Sequence, residues 1–336
     1  MKNLLYIGNK LSGHGITVTS IETLGMLLED EGYHLFYASS KKNKPLRLAE
    51  MIYRTFQHSR KTDYVLIDTY STYNFWYAFV ISQLCRILRL KYIPKLHGGN
   101  LPNRLERNPV LCRMIFKYAY KNIAPSDYLL KAFENRGYAE VVYIPNTIEI
   151  QNYKFKSRPN IKAKLLWVRS LSSIYNPEMA LKVLLEIKKE FPDAELCMVG
   201  PDKENKLPAL QNLAEEWDLN VIFTGKLTKQ AWINLSSEYD IFINTTHFDN
   251  TPVSVIEAMA LGLPVASTNV GGIPFLLDHR KTAMLSDDND ATVMVSNIRE
   301  IIANEALKEA LVTNAQELVQ NFDWNIVKAK WHEILI

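Results

Sequence analysis

Short β-branched and aromatic runs alternate with longer amphipathic segments along the whole chain. In the first half the runs are LLYIG (4–8), HLFYA (34–38), YVLID (64–68), YIPKL (92–96), NIAPS (122–126) and VVYIP (141–145). The stretches between them have helical length and spacing. Over 16–31, for example, Ile16, Thr19, Ile21, Leu24, Leu27 and Leu28 fall largely on one side. The pattern restarts with KLLWV (164–168), ELCMV (195–199), VIFTG (221–225), IFIN (241–244) and PVAST (264–268). Asn176 and Pro177, with Glu178 in the first turn, mark one helix start. Strand–helix alternation predicts an α/β chain whose parallel sheets are covered on both faces. The restart follows the polar stretch KFKSRPNIKAK, so the reading is two doubly wound domains in tandem, 1–158 and 159–322. In such sheets ligands gather at the carboxyl ends of the strands.

Composition agrees with two domains. The chain has 336 residues, and a domain takes ~150. With 47% hydrophobic and 22% charged residues it is neither disordered, collagen-like nor a coiled coil. The longest apolar stretch, 74–90, is broken by Ser82, Gln83, Arg86 and Arg89, short of the ~20 clean residues of a membrane span. MKNLLYIGNK reads as a first strand rather than a signal peptide. Cys85, Cys112 and Cys197 are widely spaced, which implies no disulfide framework or zinc site and fits a reducing cytoplasm. The net charge of +3 conceals an asymmetry: residues 1–160 hold 23 Lys and Arg against 12 Asp and Glu, and residues 161–336 hold 16 against 24. The basic half is either an unevenly decorated surface or one that faces an anionic partner.

Candidate chemistry lies just after strands. The loop GNKLSGHG (8–15) can bring backbone amides to an anion, or be an ordinary glycine turn. It matches neither the G-x-G-x-x-G dinucleotide fingerprint nor a Walker phosphate loop. His97, followed by Gly98, Gly99 and Asn100, ends the fourth strand, a position open to a structural or a functional histidine. Arg169 closes the first strand of the second half, where it either grips a phosphate or meets solvent. The richest segment is HFDNTPVSVIEAMALGLPV (247–265), followed by NVGGIP (269–274). Asp249 stands eight positions before Glu257, and Thr251 and Pro252 sit at a helix start whose free amides favour anions. A helix carboxylate such as Glu257 can accept from a sugar's vicinal diol, or simply face water.

Residues 247–274 resemble the signature of retaining glycosyltransferases of family four: an E-x7-E element whose second acid opens E-A-M-A-x-G-x-P-V, with G-G-I-P after it. The glycine loop, H-G-G, the Arg and VGPD (199–202) fall in that family's order. The resemblance implies the GT-B architecture, two Rossmann-like domains with an interdomain cleft, and a last helix (323–336) crossing back to the first domain. It further implies that the second domain binds a nucleotide-diphosphate sugar as co-substrate and the first binds a glycan or lipid-linked acceptor. No cofactor, metal or nucleic acid is expected.

By the same resemblance, His97, Arg169 and Asp249 are catalytic. Gly13, Gly15, Arg169, Tyr175, Lys226, Asp249, Asn250, Thr251, Pro252, Val253 and Glu257 bind the donor, with Glu257 on the ribose and Arg169 on the pyrophosphate. His14, His97, Asn100 and Arg104 face the acceptor. Two departures stand out: Asp249 replaces the first Glu, and Tyr175 stands near the place of a Lys, for which Lys226 or Lys10 is a substitute. The implied activity is retaining transfer of a hexose-like sugar in polysaccharide or glycolipid synthesis. The alternatives are a nucleotide-sugar-binding scaffold and an epimerase. The expected location is the cytoplasm, peripheral at the inner membrane face, with Lys91, Lys95, Arg104, Arg107, Arg113, Lys117 and Lys121 as the anionic-surface contact.

Overall fold

A computed structural model describes residues 2–14 and 18–336. The chain divides into two compact units, Met1–Pro145 with Lys328–Ile336, and Asn146–Val327.

Unit 1 runs β1 (Asn3–Ile7), α1 (Ser20–Asp30), β2 (His34–Ala38), α2 (Lys44–His58), β3 (Tyr64–Thr69), α3 (Phe75–Ile87) and β4 (Lys91–Leu96). It continues with α4 (Leu101–Arg107), α5 (Pro109–Phe116), β5 (Asn122–Ala124), α6 (Asp127–Glu134) and β6 (Val141–Tyr143). Its six parallel strands lie in the order β2-β1-β3-β4-β5-β6. β3 is buried at every residue, as a central parallel strand covered on both faces must be. Leu5, Ile7, Val65, Ile67, Tyr77 and Ile81 share one core cluster. Leu96, Ile115, Phe116, Leu129 and Phe133 form another. The last residues of the chain pack on this unit: Lys328 Nζ meets Glu31 Oε1 at 3.0 Å, and the Tyr64 hydroxyl donates to the Ile336 carbonyl at 2.6 Å.

Unit 2 runs β7 (Lys164–Val168), α7 (Pro177–Lys188), β8 (Glu195–Val199), α8 (Leu207–Glu216), β9 (Val221–Gly225), α9 (Lys229–Leu235) and β10 (Ile241–Asn244). Then come α10 (Val253–Ala260), β11 (Val265–Thr268), β12 (Met284–Ser286), α11 (Ala291–Ala303) and α12 (Glu305–Gln320), and the last helix, α13 (Trp324–Ile334), starts in this unit and belongs to unit 1 from Lys328 on. Its sheet order is β12-β11-β10-β7-β8-β9, again all parallel. Counted from β7, this is the doubly wound order 3-2-1-4-5-6, whereas unit 1 has the 2-1-3-4-5 arrangement with one strand added. The crossovers therefore diverge between β1 and β3 in unit 1 and between β7 and β10 in unit 2. Ligand crevices form at such points.

Three details differ from the sequence reading. β12 is absent from it, since three residues carry no periodicity. α1 starts at Ser20, and Ile16, where the sequence reading begins that segment, lies outside the described residues. Residues 146–158, assigned above to the first domain, belong to unit 2. The reason is Arg158, which looks like linker charge but is buried, with its guanidinium donating to the carbonyls of Lys156, Ser236, Tyr239 and Leu261 at 2.9–3.0 Å.

Candidate functional site

At the divergence point of unit 1, Gly8, Asp68 and His97 converge from the ends of β1, β3 and β4. A Cβ on Gly8 would lie 2.7 Å from Asp68 Oδ2, so a side chain there would displace the Asp68 carboxylate. Asp68 Oδ1 accepts from the Tyr6 hydroxyl at 3.1 Å and meets His97 Nε2 at 2.7 Å. His97 is further held by its amide, which donates to Thr69 O at 2.8 Å, and by stacking on Tyr70. Burial lowers the His97 pKa, with Asp68 opposing. A neutral imidazole that donates Nε2–H to a carboxylate presents Nδ1 as an acceptor. Beneath this, buried Lys95 donates from Nζ to Ser20 Oγ at 2.5 Å, and Ser20 lies 3.2 Å from the Tyr6 hydroxyl. Burial lowers Lys95 to about 8, against the pull of Asp68. The sequence reading puts Lys95 on an anionic-surface contact. The structure corrects this, because β4 is a central strand buried along Tyr92–Leu96.

The loop after β1 is tied by Glu22, whose carboxylate takes the amides of Ser12 and Thr19 at 3.3 and 3.2 Å and the Ser12 hydroxyl. Gly13 sits exposed in a short turn, and a Cβ there would meet nothing within 4 Å, so packing does not demand glycine. Gly15 and the His14 side chain lie outside the described residues. Asn100 is exposed at the start of α4. Arg104 lies over the Phe75 ring at 4.6 Å and donates to Asn108 Oδ1 at 2.9 Å, contacts within the helical layer. Lys10, a substitute cation in the sequence reading, lies 3.7 Å over the Tyr37 ring.

At the divergence point of unit 2, Arg169 leaves β7 and the loop after β10 brings Asp249. Arg169 Nη2 and Asp249 Oδ2 form an ion pair at 2.7 Å, and the guanidinium lies 5.1 Å over the Tyr175 ring. Arg169 Nε is buried without a hydrogen-bond partner among the described residues. The loop is clamped from behind: Gly272 N donates to Asp249 O at 2.8 Å, and a Cβ on Gly272 would fall 1.8 Å from Asn250 O. Asn250, Thr251 and Pro252 are buried, and Pro252 caps α10, whose first amides at Val253 and Ser254 are of the kind that lack intrahelical partners. Glu257, 3% exposed on α10, accepts from the Tyr153 hydroxyl at 2.7 Å and pairs with Lys229, the first residue of α9. Burial, and then Glu257, raise the Tyr153 hydroxyl far above its usual range. Lys226, exposed at the end of β9, is a near neighbour in sequence of the lysine that reaches Glu257.

Of the residues gathered at the two divergence points, sequence reasoning names His97, Arg169, Asp249 and Glu257 but not Tyr153, Lys229, Asp68, Tyr6 and Glu22, which pack against them or their loops. Only Lys229 carries a local signal, being the first helical residue after the N-cap Thr228, three positions beyond the suspected Lys226. Among the described residues no cluster of His, Cys, Asp and Glu could hold a metal ion, and no helix is long and apolar enough to cross a membrane.

Residues 149–318, half of the chain, match the family described as Glycosyl transferases group 1. The chain belongs to that family, and its two sheets are those of a GT-B glycosyltransferase. Similar proteins include sulfoquinovosyl transferase SQD2 of Arabidopsis thaliana, 26% identical over 46% of this chain and 30% of that protein. An uncharacterized glycosyltransferase, MJ1178 of Methanocaldococcus jannaschii, is 22% identical over 92% of this chain and 91% of its own. The first of these matches thus spans under a third of its relative. Among solved structures, Anabaena HepE in complex with UDP-glucose superposes with a TM-score of 0.80 at 17% identity, over 100% of this chain and 99% of that one.

Proposed function

We propose that the protein transfers a sugar, with retention, from a nucleotide-diphosphate sugar to an acceptor hydroxyl, without a metal, in surface polysaccharide or glycolipid synthesis. The observation that carries this reading is the Arg169–Asp249 pair at the divergence point of unit 2, with the buried carboxylate of Glu257 on the helix that follows. In it, Glu257 accepts both hydroxyls of the donor ribose. Arg169 and the first amides of α10 hold the pyrophosphate, where leaving-group charge develops. Ribose binding takes the carboxylate from Lys229 and frees that ammonium for the phosphates, which replaces the cation absent at Tyr175. In unit 1, His97 offers Nδ1 to a sugar hydroxyl, and the departing phosphate oxygen takes the acceptor's proton on the same face. The UDP and UDP-glucose complexes of HepE make a UDP-sugar the first donor to try. The chain works at the inner membrane face, where Arg107, Arg113 and Lys117 remain exposed to anionic lipid.

The test is incubation with UDP-, GDP- and ADP-sugars and acceptor extracts, read as nucleoside diphosphate release and as anomeric configuration of the product. Saturable binding without release supports a scaffold and defeats the transferase reading. An inverted product defeats the retaining mechanism alone.

A further inference from the structure

α2 is apolar on two sides: Leu48, Met51 and Ile52 pack on the core of unit 1, and a second apolar stripe faces outward. A surface helix ordinarily turns its apolar stripe inward. Here the fully buried positions are Arg47, Met51 and Thr55, with Leu48 and Ile52 half-buried, while Leu46, Tyr53 and Phe56 are 61%, 61% and 53% exposed. With Ala49 these outward residues are spaced by three and four and form one continuous stripe. The orientation is fixed from within, because the Arg47 guanidinium is consumed by Lys41 O, Lys42 O and Asn9 Oδ1 at 2.7–2.9 Å. The helix cannot roll to hide the stripe without stripping that buried cation of its partners.

The surroundings of the stripe are strongly basic. Lys41, Lys42 and Lys44 precede it, and Arg60 and Lys61 follow it, all exposed. Lys44 also lies 4.9 Å over the ring of Tyr73, an exposed residue just before α3. Glu50, the acid within α2, is engaged by Ser39 and Arg54. From Lys41 to Lys121 the chain holds sixteen Lys and Arg against four Asp and Glu.

We propose that the outer face of α2 is an insertion surface for an anionic lipid bilayer, with Leu46, Tyr53 and Phe56 entering the headgroup–acyl boundary and the flanking lysines on lipid phosphates. Exposed leucine and aromatic side chains rimmed by lysine match such an interface. A nucleic acid would account for the charge and the rings but leaves Leu46 in water. A protein partner would account for the stripe, but not for a cationic excess spread over eighty residues. The proposal deepens the inner-membrane reading above, on which it rests, and adds an apolar component that ionic strength does not screen.

The experiment is co-sedimentation of the full chain with phosphatidylglycerol–phosphatidylcholine vesicles as salt rises from ~50 to ~500 mM, where the Debye length falls to a few ångströms. Expected is binding that weakens with salt but keeps a resistant fraction. The Leu46→Ser, Tyr53→Ser, Phe56→Ser triple variant should lose that fraction, weakening binding about tenfold at physiological salt, with its low-salt binding and melting temperature retained. Should the triple variant fail to fold, Phe56→Trp serves, and the fluorescence it adds over wild type must blue-shift on vesicles and be quenched by brominated acyl chains. Wild type that ignores anionic vesicles at low salt sinks the inner-membrane reading and this one with it. Binding that stays as tight with the stripe removed, or added fluorescence without quenching, overturns insertion and spares the electrostatic reading. A dimer that the triple variant dissolves, or single-stranded RNA that competes through the stripe, assigns the face to another occupant and also overturns it.

Discussion

The two divergence points arise from the same backbone event, a pair of neighbouring parallel strands whose crossovers part, yet they hold charge in opposite ways. In unit 1, Lys95, Ser20, Tyr6, Asp68 and His97 form one hydrogen-bonded chain, with Lys95 and Asp68 both buried and Asp68 Oδ2 without a hydrogen-bond partner among the described residues. In unit 2 the charges stand in separate pairs, Arg169 with Asp249 and Lys229 with Glu257, and the Lys229 side chain is 57% exposed. A buried ion must be satisfied when the chain folds, because it loses its hydration at that moment. A pair that reaches water can trade its partner for a ligand at little cost. Unit 1 therefore holds a preset geometry around His97, and unit 2 holds, in Lys229, a cation that a ligand can borrow beside the mostly buried Arg169.

The largest expected break in this contrast comes from Arg169→Ala. Turnover should fall by about 10²–10³-fold, the loss typical of removing one stabiliser of developing negative charge, with Arg169→Lys recovering only part. A loss below about tenfold in donor turnover would remove Arg169 from the reaction. Next is Lys95→Met, read as urea midpoint against pH. The folded pKa of about 8 lies below the ordinary 10.5, so between these values the unfolded chain binds the proton that the folded chain has released. Stability from this group then rises with pH over that window, by on the order of 3 kcal/mol, and its burial cost is fully present below it. The variant should lack the rise; an unchanged slope would mean that Lys95 carries no burial cost in this chain. The smallest effect sharpens unit 2 internally. Glu257→Gln should weaken donor binding about tenfold, and more than Asp249→Asn, since a diol uses two acceptor oxygens and an amide offers one. Calorimetric titrations showing equal or reversed losses would exchange the two roles.

The strands are legible in the sequence wherever β-branched runs are long, and the 247–274 block carries Arg169's counterpart Asp249 and the later Glu257. What a sequence does not carry is register across a parallel sheet. Asp68 and His97 are twenty-nine residues apart and meet because β3 and β4 are neighbours paired from Tyr64 to Leu96. Tyr153 and Glu257 are still farther apart, and Tyr153 stands just before the polar stretch that reads as a linker. Lys95 misleads for a related reason: its charge suggests surface, and only the strand order shows that β4 has no exposed face. The second apolar stripe of α2 is equally hidden, since a period of three to four residues marks a stripe but not which of two the core takes.

Arg158 also decides where the second unit can be cut free. Its guanidinium draws together the carbonyls of Lys156, Ser236, Tyr239 and Leu261, and its own carbonyl takes the ammonium of buried Lys308. A fragment begun at residue 159, where the hydrophobic pattern restarts, would strip the guanidinium from the carbonyls of Ser236, Tyr239 and Leu261 and take one of the three acceptors of Lys308, leaving it Pro159 O and Glu305. A fragment begun at Asn146 keeps the rivet, with the Ile148 bridge to Asp323 in place. For expressing, crystallising or titrating the unit alone, the useful boundary precedes the apparent one by about a dozen residues.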